Sequence, residues 1–66
     1  MTIQDLKEYL EKRVQITTRS GKVFKGVITG LDNGFDTNSS VDEVELDVGS
    51  YYEGIEIPDI IDIKPT

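Results

Sequence analysis

Between Asp32 and Glu43 the chain gathers oxygen-bearing side chains at a density that could hold a hard cation. In a twelve-residue frame Asp32, Asp36, Asn38, Ser40 and Glu43 take positions 1, 5, 7, 9 and 12, where carboxylate, amide and hydroxyl oxygens reach calcium. The frame is broken elsewhere: Gly34 stands at a ligand position, Thr37 stands where the turn needs glycine, and no helical pattern flanks it. A motif without its structural context is most often a coincidence, so the sequence predicts a solvated loop and no metal.

Other chemistries are limited by composition. The 66 residues include no histidine and no cysteine, which removes the commonest general base, thiol nucleophiles, thiolate metal sites and disulfides together. No nucleophile, base and orienting group stand in a recognisable constellation. The expectation is therefore a non-catalytic protein with no cofactor and no small-molecule substrate.

Charge is divided unevenly. The total is −6, but residues 1–31 hold six bases (Lys7, Lys12, Arg13, Arg19, Lys22 and Lys25) against three acids, whereas residues 32–66 hold Lys64 against ten acids. An acidic surface repels phosphate backbones. A nucleic-acid contact would have to use those six bases, and the overall charge weighs against it. The N-terminus lacks the basic, apolar and small-residue succession of a signal peptide, and no apolar run approaches the roughly 18 residues that span a bilayer. The expected compartment is the cytoplasm, with no membrane partner.

One domain over residues 1–66 is all that this length allows. Thr2 and Asp5 fit a capping box, and Ile3, Leu6, Tyr9 and Leu10 recur at helical spacing, predicting a helix over about 3–13 with a Glu8–Lys12 pair on its surface. Strands follow over about 14–64. Val14 and Ile16 alternate with polar residues, Arg19-Ser20-Gly21-Lys22 makes a turn, and Val23 to Asp32 forms a long strand. Gly26 and Gly30 lie inside that strand, where glycine marks a bend or a close backbone approach. Val44, Leu46 and Val48 point inward on a third strand. Two short strands flank Pro58, which should sit in a tight, single-turn helical corner; Ile61 and Ile63 then complete the interior.

A short helix leading into Val14-x-Ile16 and then Gly21-Lys22-x-Phe24-x-Gly26-x-Ile28-x-Gly30-Leu31-Asp32 resembles the first motif of Sm-like proteins over roughly residues 3–36. The resemblance implies a mainly β fold, a small bent five-stranded barrel of Sm-like or Src-homology type with an N-terminal helix. It also implies a tendency to close into rings that bind single-stranded RNA. At the family's RNA pocket this chain departs: Gly34 replaces a stacking residue, Asp36 replaces asparagine, and Glu53-Gly54 replaces an Arg-Gly step. A stacking platform and a cation are both lost there.

Val23, Val27, Phe35, Tyr51 and Tyr52 form the expected surface for a protein partner or a second copy, one tyrosine covering the barrel rim and the other accessible. The expected function is a binding or assembly module, self-associating or holding a protein partner. RNA binding through Lys7, Lys12, Arg13, Arg19, Lys22 and Lys25 is the first alternative, and a stand-alone monomeric barrel the second.

Overall fold

The computed structural model describes residues 1–34 and 41–66. A helix α1 (Ile3–Leu6) and a 3₁₀ turn (Lys7–Tyr9) precede five strands: β1 (Arg13–Thr18), β2 (Val23–Asp32), β3 (Glu43–Asp47), β4 (Tyr52–Glu56) and β5 (Ile60–Pro65). All pairings are antiparallel, and the order across the sheet is β4-β3-β2-β1-β5. The fold is mainly β, as expected.

Consecutive strands β4 and β5 lie at opposite ends of that order, joined only by the 3₁₀ turn Ile57–Asp59. In a flat sheet the two would stand about 19 Å apart, at roughly 4.8 Å per strand. A 3₁₀ turn advances about 2 Å per residue and covers less than half of that. The sheet must therefore curl until its edges approach. Pro58 stands near the start of this turn, where its missing N–H costs no ladder bond.

The curl tightens at Gly26. A Cβ there would meet the backbone carbonyl of Asp47, with the Asp47 carbon at 2.8 Å and Leu46 Cγ at 3.2 Å; β3 crosses so near that only a hydrogen fits. Gly30 is different, because a Cβ there would touch only Glu45 atoms at an ordinary 3.8 Å. One glycine of the pair is a steric requirement. Beside the other, a bulge between Ile28 and Gly30 shifts the register with β3 and supplies further bend.

Inside the curl lie Leu6, Val14, Ile16, Ile28, Val44, Leu46, Ile55, Ile57 and Ile60, with Phe24, Leu31, Val48 and Ile63 packed around them. Alternation along each strand produces this set. Ile61 is an exception to the expected pattern: it is 60% exposed, and Ile60 is buried in its place. The cause is a second bulge, where Thr17 pairs with Asp62 but Thr18 pairs with Ile60.

The helix is shorter than the predicted 3–13. Its start is as read, with the Thr2 hydroxyl accepting from Asp5 N–H and the Asp5 carboxylate accepting from Thr2 N–H at 2.9 Å. Its end is taken over by the sheet. Leu10 bridges Ile28, Glu11 N–H donates to the Ile28 carbonyl at 2.7 Å, and Ile28 N–H donates to the Lys12 carbonyl. Glu11 turns through φ 65° to make these bonds. Lys12 and Arg13 thus lie beyond the helix, the Glu8–Lys12 helical pair does not form, and Leu10 is left 42% exposed. Leu6 alone is fully buried and anchors the segment, a contribution of about 2 kcal/mol.

Two outcomes are expected. Gly26→Ala should lower unfolding stability by roughly 3 kcal/mol through overpacking, whereas Gly30→Ala should be close to neutral, both read by urea denaturation. The Thr2 backbone N–H holds the Asp5 carboxyl below its usual range, so this cap stabilises the fold above the ordinary carboxylate pKa and is lost as pH falls through the lowered value. Amide exchange of the first turn should accelerate across that acid window, and Asp5→Asn should remove the dependence.

Candidate functional site

Hydrogen bonds in an antiparallel pair alternate residue by residue, so one bond sets the parity of a strand. Val48 N–H donates to the Tyr51 carbonyl at 3.1 Å, and Ile57 N–H donates to that of Asp42 at 3.0 Å. Tyr51, Glu53, Ile55 and Ile57 therefore face β3 with their backbone groups, and Tyr52, Gly54 and Glu56 turn theirs away. On β5, Thr66 N–H donates to the Arg13 carbonyl at 3.1 Å, which leaves the Ile63 backbone pointing outward. Among the described residues no strand covers either edge.

Register also arranges the outward side chains in rows. Asp32, Glu43 and Glu56 are direct neighbours across β2, β3 and β4. By the same parity Glu43 and Glu56 form a non-hydrogen-bonded pair, the type in which side chains stand closest. In the next row Glu45 lies between Gly30 and Gly54, and beyond it Asp47 lies between Val27 and Tyr52. The glycines leave space for the carboxylates to separate. Glu45 Oε1 accepts from the Thr29 hydroxyl at 2.9 Å, while Glu43 Oε1 lies 4.0 Å from where a Cβ on Gly54 would stand.

The same face changes sign toward β5. Lys25, Gln15 and Lys64 form a row across β2, β1 and β5, and Arg13 stands beside Val27. Lys64 pairs with Asp62 at 3.7 Å, both largely exposed, a contact of little energetic weight. Five carboxylates (Asp32, Glu43, Glu45, Asp47 and Glu56) thus occupy the β4 side, and three cations with Asp62 occupy the β5 side. The charge division read along the chain is a division across the sheet.

Of the five residues expected to form one patch, the structure does not join the described ones. Val23 is 52% exposed beside Thr17, about 13 Å along β2 from Val27. Val27 is half-buried and shares a row with Tyr52, with Asp47 between them. Phe35 lies outside the described residues. Tyr51 and Tyr52 are 54% and 65% exposed, so neither covers the rim; Tyr51 belongs to the bend before β4, and Tyr52 points outward at its start. Ile61, expected inside, adds an exposed aliphatic group on β5.

The bases scatter too. Arg13 and Lys25 share the outer face, Arg19 and Lys22 sit by the β1–β2 turn, Lys7 is on the 3₁₀ turn and Lys12 precedes β1. Lys64 joins the outer group although the sequence alone did not single it out, since only the β1–β5 register brings it there. Asp36, Asn38 and Ser40 of the calcium frame also fall outside the described residues. Gly34, which breaks that frame, is buried: a Cβ there would stand 2.6 Å from Val41 backbone atoms, and its N–H donates to Asp42 Oδ1 at 2.8 Å. Close packing of the loop's base requires that glycine.

Where the curled sheet brings β4 toward the β1–β2 turn without pairing to it, a cleft of about 380 Å³ remains. Its walls are Thr18, Ser20, Lys22 and Phe24 on one side and Glu53 to Glu56 with Asp59 on the other. Thr18 is buried, its hydroxyl 3.0 Å from that of Ser20. Among the described residues no group of acidic side chains has metal-ligand geometry, and no helix is long and apolar enough to cross a membrane.

Comparison of the chain with protein-family models, with curated proteins and with solved structures returns no match.

Like charges directly opposed across a sheet destabilise it by a few tenths of a kcal/mol to about 1 kcal/mol. Glu43→Gln should therefore raise unfolding stability by about 0.5 kcal/mol at low ionic strength. The gain should shrink in high salt and add incompletely to that of Glu56→Gln in a double-mutant cycle.

Proposed function

We propose that the protein is a non-catalytic assembly module of Sm-like type, which associates edge to edge with further copies of itself. The observation that carries this reading is the pair of uncovered edges, β4 and β5, bordered by outer faces of opposite charge. An uncovered strand is a template for another strand. Pairing β5 of one copy with β4 of the next sets Arg13, Lys25 and Lys64 beside Glu43, Glu45 and Glu56, so long-range attraction and backbone pairing act together. The Sm-like character rests on the element order and on Gly26 within the motif, and it belongs to the same proposal.

A second reading has one observation in its favour, the cluster of Arg13, Lys25 and Lys64 on one face, which suits a phosphate backbone. Among the described residues no aromatic side chain shares that face near the three cations: Tyr52 lies beyond Asp47. Base stacking, worth about 1–3 kcal/mol per base, has no evident platform there.

Light scattering after size exclusion, over a range of concentrations, tests the first reading. The expected result is a mass above the 7.4 kDa of one chain, rising with concentration and reduced by Lys64→Glu on β5 or Tyr52→Lys on β4. A single-chain mass throughout would leave the stand-alone barrel as the answer. Titration with labelled single-stranded RNA at low salt addresses the second: binding abolished when Arg13, Lys25 and Lys64 are replaced would turn the assignment to nucleic acid.

A further inference from the structure

We infer that the β4 edge, with the cleft beside it, is a docking site for an extended basic segment of a partner protein, in which apolar and cationic residues alternate. The inference rests on the reading of β4 as an interaction edge and adds a particular occupant. Tyr52, Gly54 and Glu56 present backbone donors and acceptors in the spacing of a strand, so an incoming chain can extend the sheet by one strand. Alternate side chains of that chain would point toward the cleft and toward the outer face.

The lining decides which side chains those are. Phe24 and Ile55 offer apolar contact, while Glu53 and Asp59 bring two carboxylates to a cleft whose only cation among the described residues is Lys22. On the outer face the new strand would lie next to Glu56 and Gly54, with Glu43 and Glu45 one strand further in. Lysine or arginine is thus matched on both sides of the added strand, and an acidic segment is repelled from both. The chain's own β5 is a poorer match, because it carries Asp62 beside Lys64 and offers one cation in six residues.

The test uses the full chain and its Lys64→Glu variant, whose β4 edge is unaltered, with a capped peptide of alternating valine and lysine and a matched peptide of valine and glutamate. Fluorescence anisotropy should show saturable binding of the lysine peptide to both proteins, weakened at least tenfold by Glu53→Lys with Asp59→Lys and weakened also by Glu53→Gln. Amide exchange should slow at Tyr52, Gly54 and Glu56 when it binds. No binding, equal binding of the glutamate peptide, or protection confined to β5 would overturn the inference. A chain that stays monomeric yet binds the peptide loses the self-assembly reading and keeps this one; a chain that self-assembles but whose Lys64→Glu variant ignores the peptide does the reverse.

Discussion

Three residues, Ile57–Asp59, carry the chain from one margin of the sheet to the other, and that short crossing governs the rest. It obliges five strands to curl, and curling creates the interior in which the nine core side chains are buried. The curl in turn demands a place where two backbones nearly touch. Gly26 against the Asp47 carbonyl is that place, and two bulges take up the remaining mismatch. Because the crossing is helical rather than extended, β4 and β5 approach each other without forming a ladder. The device that closes the core therefore also leaves two strand edges unpaired among the described residues.

Electrostatics follows from the same register. Glu43, Glu45, Asp47, Glu53 and Glu56 fall on β3 and β4, while Lys64 is carried by β5 to the side of Arg13 and Lys25. A row of three opposed carboxylates costs stability in so small a domain, and Gly30 and Gly54 moderate that cost by giving Glu43 and Glu45 room to lean apart. The glycines of this sheet thus serve two ends. Gly26 admits backbone, and the pair flanking Glu45 admits charged side chains.

Much of this was legible from residue order. The capping box, the inward alternation of Val14, Ile16, Val44 and Leu46, the Arg19–Lys22 turn and the helical corner at Pro58 each depend on local preference, and local preference holds in the structure. What escaped depends on partners distant in sequence. Leu10 continues a helical stripe, but the backbone from Leu10 to Lys12 bonds to Ile28 instead, so tertiary hydrogen bonding overrides the period. In Ile60-Ile61-Asp62-Ile63, inward-facing Ile61 and Ile63 give a regular alternation; the bulge opposite Thr17 and Thr18 puts Ile60 inside instead. The acidic rows were hidden for a like reason, since a one-residue slip at Thr29 decides which carboxylates stand opposite one another. Tyr51 and Tyr52 do not alternate across the sheet because Tyr51 belongs to the bend that precedes β4.

Polarity across the sheet also bears on the symmetry of any assembly. A two-fold interface places the same strand of two copies together, and joining β4 to β4 would bring Glu43, Glu45 and Glu56 of one copy against their own counterparts. Repulsion of that kind selects against isologous pairing while leaving the backbone edge available. Head-to-tail contact through β5 and β4 has the opposite sign, and a heterologous contact either closes into a ring or propagates as a filament according to its rotation angle. Curvature of the protomer and the segregation of Lys64 from Glu56 then act on different quantities. In the proposed assembly, shape would set whether the series closes, and charge would set that neighbours point the same way round.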